Sequence, residues 1–118
     1  MITLKTLPEA TAQEVFDQIS THLLTQYESC LEGETGKCKY HYNGLMCAAG
    51  CLISDEEYIP EMEGGEWTDL IEELGIPNNH SGLITKLQII HDEYLPKQWS
   101  HKLNEIAHQE NLQFNPPE

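Results

Sequence analysis

Apolar residues recur at helical spacing over four stretches of this chain and alternate over one. Val15, Phe16, Ile19, Leu23 and Tyr27 fall on one face of a helix spanning roughly 12–27. Thr11 and Glu14 precede it in capping-box spacing, hydroxyl and carboxylate each satisfying the other's free amide. Trp67, Leu70, Ile71 and Leu74 make a second stripe, which Gly75 and Pro77 end. A third stripe runs through Leu83, Ile84, Leu87, Ile90, His91 and Tyr94, with Ser81 as its cap. Pro96 separates it from a fourth, in which Trp99, Leu103 and Ile106 face inward.

The alternating stretch surrounds Asn43-Gly44, with Cys38, Tyr40 and Tyr42 before it and Leu45 and Cys47 after it. Asn-Gly suits a type I′ turn, which needs positive φ at both central residues, so a two-stranded hairpin is predicted. A lone hairpin is marginal and has to lean on the helices. Small residues in AAGCLI predict a short buried helix beginning near Cys47. Ser54 with Glu57 then forms a second capping box, opening an acidic turn through Tyr58. Residues 2–7 alternate imperfectly and read as an edge strand or an extended lead-in. Residues 32–37 read as a loop, Gly64-Gly65 as a joint, and 113–118 as a frayed tail. The expected fold is mainly α with a small β-hairpin (α+β), about five short helices in one domain over 1–118.

Length permits one core and is too short for two ordinary domains. Charge narrows the picture further. The chain has 20 acidic residues against six lysines, no arginine, and a formal charge of −14. Phosphate recognition relies on clustered lysine and arginine, so direct binding of nucleic acid or of an anionic membrane is disfavoured. The partner expected is a basic protein or nucleoprotein complex. No stretch approaches the ~20 apolar residues of a membrane span. The opening MITLKTLPEATAQE lacks the apolar core of a secretory signal, so a cytoplasmic chain with reduced thiols is expected.

Three kinds of chemistry compete for the middle of the chain. From Asp55 to Glu73 there are nine carboxylates and no cation. Asp55, Glu56, Glu57, Glu61, Glu63 and Glu66, interleaved with Tyr58, Met62 and Trp67, suit a docking face. Its carboxylates would steer a basic partner, imitating a phosphate backbone, and its large side chains would anchor it. Their spacing matches no calcium-binding loop. The second reading is a cysteine-dependent enzyme. Cys47 at a helix N-terminus would be the thiolate, His91 or His22 the base, and Asp92 the orienting acid. The third is a structural zinc held by Cys38, Cys47 and Cys51, with His41, His22 or His91 as fourth ligand. Eight residues between Cys38 and Cys47 depart from the usual close cysteine pair, and C-x-x-x-C is not the redox spacing.

The string C-x-Y-x-x-x-G-L-x-C-A-x-G-C-L-I-x-D-x-x-Y, here Cys38 to Tyr58, resembles a family of small proteins of bacteria and their phages. The resemblance continues to Glu63-Gly64, His91-Asp92 and Trp99. It implies a phage or mobile-element setting and carries no activity or functional residue with it. Joined to the charge, it leads to the expectation of an acidic protein that docks on a basic host protein and blocks its surface, without cofactor.

Overall fold

The computed structural model describes residues 1–116. Four α-helices carry most of the fold: α1 (Ala12–Gln26), α2 (Trp67–Leu74), α3 (Ser81–Glu93) and α4 (Pro96–Gln109). One two-stranded antiparallel sheet, β1 (His41–Tyr42) with β2 (Leu45–Met46), completes the expected α+β domain.

Helix α1 starts where its sequence says it should. Thr11 Oγ1 accepts from the Glu14 N–H (3.1 Å), and Glu14 accepts from the Thr11 N–H (2.9 Å). It ends at Tyr27 and α2 ends at Gly75, both in the left-handed region. Ser81 is the first residue of α3 rather than its cap, a position taken by His80, also left-handed. Helices α1, α3 and α4 pack on one another, and α2 packs on α3. Between them lie Phe16, Ile19 and Leu23 of α1, Ile84, Leu87 and Ile90 of α3, and Trp99 and Leu103 of α4, all buried. Each such side chain is worth roughly 1.5–3 kcal/mol of burial, so this layer is the stable platform of the molecule.

The hairpin register is His41 opposite Met46 and Tyr42 opposite Leu45, a two-residue turn with φ of 53° at Asn43 and 83° at Gly44. Below it, the loop 32–37 is closed by a bridge between Leu31 and Cys38. The helix expected near Cys47 is a 3-10 turn over Ala49–Leu52, beginning two residues later. Gly50 explains its shortness. A Cβ there would overlap the Tyr40 carbonyl oxygen, so the turn lies backbone to backbone against the start of the hairpin. The Ser54–Glu57 box follows at once and fixes a new direction (3.0 and 3.2 Å).

Two ends of the chain differ from expectation. Residues 3–7 form neither a strand nor an extended lead-in. The Thr6 and Leu7 N–H groups both donate to the Thr3 carbonyl, leading into a 3-10 turn at Leu7–Glu9 where Pro8 suits the first positions. The tail expected to fray is docked at its start. Gln113 exchanges two hydrogen bonds with the Gln13 amide (2.9 Å each), and Phe114 meets Phe16 edge-on at 6.0 Å. The last two residues of that tail lie outside the described residues.

Candidate functional site

Helix α3 offers two faces. Leu83, Ile84, Leu87 and Ile90 go into the core, while Thr85, Gln88, Ile89 and Asp92, spaced i, i+3, i+4, i+7, line a cleft of about 490 Å³. Its other walls are Lys37 to Tyr40 with Cys47, and Gly64 to Thr68. The two walls are joined by the Tyr40 hydroxyl, which donates to the Gly65 carbonyl (2.7 Å), and by Tyr40 and Trp67, whose rings lie 6.3 Å apart. Gly64, at φ 86°, turns the chain between them.

Asp92 is the polar centre of this cleft. Its Oδ1 accepts from Gln88 Nε2 (2.8 Å) and from His91 Nδ1 (2.8 Å), and the Cys38 thiol lies against the same carboxylate. The ring state of His91 follows from its surroundings. Its Nε2 faces the backbone N–H of Cys30 at 2.8 Å, a group that can only donate, so Nε2 is the lone pair and Nδ1 carries the proton. His91 is therefore a neutral, buried ring with both nitrogens engaged. Gln88 is tied too, its Oε1 accepting from the Ala49 N–H (2.8 Å). The network pins α3 to residue 30 on one side and to the 3-10 turn on the other.

This wiring decides how the enzymatic reading stands geometrically. His91 and Asp92 are together, but the cysteine beside them is Cys38. The order is thiol, carboxylate, imidazole, and a base must stand next to the thiol to take its proton. Partial burial together with the hydrogen bond to, and charge of, Asp92 push the Cys38 thiol up to about 12. Cys47 borders the cleft yet is buried, its sulfur accepting from the Gly50 N–H (3.2 Å). No α-helix begins at Cys47, and burial pushes its thiol well above the ordinary value, the reverse of the lowering expected from a helix N-terminus. His22 stands elsewhere, donating to the Met46 carbonyl through Nε2 (2.9 Å), and burial lowers its pKa.

The three-cysteine metal reading meets a different geometry as well. Cys51 turns its thiol to the Ala48 carbonyl (3.1 Å), and Cys30 to that of Leu45 (3.3 Å). His41 donates through Nε2 to the Gly50 carbonyl (2.8 Å) and stacks on Tyr58 at 4.6 Å. Among the described residues, the ligand-type atoms that come within 4.8 Å of one another belong to Cys38, His91 and Asp92. A metal there would face the protonated Nδ1 of His91. Binding through that nitrogen would shift the proton to Nε2 and break the bond from Cys30.

The docking residues divide into two sets. Asp55, Glu56, Glu61 and Glu66 are exposed. Glu57 and Glu63 are partly buried clamps. Glu57 accepts from the N–H groups of Leu4, Lys5 and Ser54 (3.0 Å each). Glu63 accepts from Tyr40 N–H (2.8 Å), His41 N–H (3.2 Å) and the Tyr58 hydroxyl (2.7 Å). The anchors expected on the surface turn inward: Met62 and Trp67 are core residues and Tyr58 is half-buried. The i, i+3, i+4, i+7 stripe of Thr85, Gln88, Ile89 and Asp92 is the signal that would have located the cleft from sequence.

No family model, curated protein or solved structure matches this chain. Among the described residues, no helix is long and apolar enough to cross a membrane.

Proposed function

We propose that the protein is an acidic docking module that lays its 55–73 face on a cationic surface of another protein and covers it. The supporting observation is that the exposed carboxylates of this face are left without lysine partners. Among the described residues, the lysine ion pairs are Lys39–Glu32 (3.1 Å), Lys86–Glu110 (3.0 Å) and Lys102–Glu105 (3.7 Å), all outside it. Glu61, Glu66, Glu72 and Glu73 thus project negative charge into solvent. At −14 overall, that field costs stability through self-repulsion and speeds encounter with a basic partner. A nucleic-acid-binding host protein supplies a surface of matching chemistry, and the resemblance to small phage and bacterial proteins agrees with that choice.

The test separates surface charge from structural carboxylates. After the partner is recovered by pull-down from a host lysate, Glu61, Glu72 and Glu73 are replaced together by lysine. Affinity is expected to fall about tenfold or more and its salt dependence to flatten, with an unchanged melting temperature. Undiminished affinity in this triple variant would remove electrostatic docking. Glu63 is unsuitable for that test because its loss disturbs the fold.

A further inference from the structure

We infer that Cys38, His91 and Asp92 form a site for one zinc ion, and that filling it releases the amide of Cys30 from His91. The site is separate from the acidic 55–73 face and stands or falls independently of the docking reading.

The donor set selects the ion. A thiol, an imidazole and a carboxylate suit zinc, which takes sulfur, nitrogen and oxygen, whereas magnesium and calcium prefer oxygen alone. The three ligand atoms lie within 4.8 Å of one another. In a tetrahedral zinc site two ligand atoms stand roughly 3.3–3.7 Å apart. The 2.8 Å between His91 Nδ1 and Asp92 Oδ1 therefore has to open by about half an ångström, and Cys38 Sγ has at most about an ångström to close. Three protein ligands leave a fourth position, which water reaches through the cleft that Cys38 and Asp92 line. His91 and Asp92 are fixed on α3, where Gln88 Nε2 orients the carboxylate (2.8 Å) as the outer partners of zinc ligands do. Cys38 is exposed at the end of the 32–37 loop, and the carboxylates of Asp92 and Glu93 act on its sulfur. Of the lysines on the cleft, Lys39 is held by Glu32 (3.1 Å) and Lys37 is exposed.

The protons have to be accounted for. Zinc takes Cys38 as the thiolate, so the thiol proton goes to solvent. The His91 proton moves from Nδ1 to Nε2, and the lone pair freed at Nδ1 forms the bond to zinc. Nε2–H then faces the Cys30 N–H at 2.8 Å, donor against donor, and the amide has to leave. Losing that hydrogen bond weakens zinc binding by roughly ten- to a hundredfold, which a site containing a thiolate tolerates. Residue 30 does not move alone. The Leu31–Cys38 bridge and the Lys39 N–H on the Cys30 carbonyl (3.0 Å) make 30–31 and 38–39 one piece. The approach of Cys38 to the ion and the departure of Cys30 from the ring are thus one movement at the base of the hairpin.

The probe is Co²⁺ titrated into the reduced full chain. A thiolate-to-cobalt charge-transfer band, with the visible bands of tetrahedral cobalt, is expected to saturate at one equivalent and to vanish when Zn²⁺ is added. Cys38→Ser, at an exposed position, should abolish the charge-transfer band at an unchanged melting temperature. The remaining thiols are engaged elsewhere: Cys30 and Cys51 donate to the carbonyls of Leu45 and Ala48, and Cys47 Sγ accepts from the Gly50 N–H. Asp92→Asn should weaken binding about tenfold or more. In isotopically labelled protein, Zn²⁺ should convert the His91 ring-nitrogen shifts from the Nδ1–H to the Nε2–H pattern and speed exchange of the Cys30 amide about tenfold. Absence of a saturable band overturns the site. So does a band retained in Cys38→Ser, or undiminished affinity in natively melting Asp92→Asn, either of which means an adventitious ion only. Zinc bound with the Cys30 amide unmoved overturns the coupling to residue 30.

Discussion

The helical layer and the segment from 27 to 66 hold their backbones in opposite ways. In α1, α3 and α4 the amides and carbonyls pair within each helix, and the side chains are left free to pack or to reach into the neighbouring segment. In the segment, two strands of two residues each cannot satisfy the backbone, and side chains take over. Glu63 receives the amides of Tyr40 and His41. Gln26 brackets Met46, donating to its carbonyl (2.9 Å) and accepting from its amide (3.1 Å). Gln88 receives Ala49 and His91 receives Cys30. Charged and polar residues there are structural elements in the same sense that leucines are in the helices. A buried amide without a partner costs about as much as a lost methylene contact or more.

The contrast can be broken most severely at one residue on each side. Trp99→Ala, removing a fully buried ring from the helical layer, is expected to cost about 3–5 kcal/mol. Gly50→Ala adds a single methyl to the segment, yet it meets the Tyr40 carbonyl and should cost on the order of 3 kcal/mol, far beyond a typical surface change. Urea unfolding measures both. A Gly50→Ala protein as stable as the parent would show that the turn can move away from Tyr40.

A subtler test compares two glutamates two residues apart. Glu63→Gln turns an amide group against donors that need an acceptor and is expected to cost about 1–3 kcal/mol. Glu61→Gln, exposed, should stay within about 0.5 kcal/mol. If the two variants melt alike, the carboxylate clamp is not what holds the hairpin.

The smallest effect expected is spread over pH. Burial lowers the His22 pKa below its ordinary 6.5, so the neutral ring contributes stability that is complete above 6.5 and lost as pH falls through the lowered value. Burial pulls the Glu57 carboxyl upward, but the hydrogen bonds from Ser54, Leu4 and Lys5 outweigh it and leave its pKa below 4.5. Its contribution is present above 4.5 and disappears at still lower pH. The buried thiols of Cys47 and Cys51 are raised above 9.0, so the folded state keeps protons that the unfolded chain releases, and stability declines as pH climbs past 9. The melting temperature should therefore plateau between about 6.5 and 9 and fall on both sides. A melting temperature that keeps rising toward pH 5 would contradict the lowered pKa of the half-buried His22.

The same division governs what could be read from the sequence. The α-helices and the Asn43-Gly44 turn are legible because their signals are local: a 3.6-residue period, a cap, two residues that accept positive φ. Glu57 is marked in the sequence by its box with Ser54, whereas Glu61 and Glu63 look alike there, and only the path of the chain makes Glu63 a clamp. Trp67 resembled an exposed anchor because its neighbours are acidic, though its own stripe with Leu70 marked it for the core. His91 and Asp92 were singled out together, but their partners sit at residues 30, 38 and 88, and no periodicity connects positions 61 residues apart.

The bond from Cys30 to His91 also bears on how the molecule comes together and comes apart. It closes a span of 61 residues and requires α3 to exist first, so the segment from 27 to 66 has little local order to gain before the helices assemble. Because its backbone is held by side chains rather than by ladders of its own, this segment is expected to open before the helices do. Amides of residues 38–53 should exchange with solvent deuterium sooner than those of α1 and α4. The walls of the cleft come from that segment and the start of α2 on one side and from α3 on the other, and because Tyr40, Cys47 and Trp67 are also core residues, any change in its width is coupled to the core.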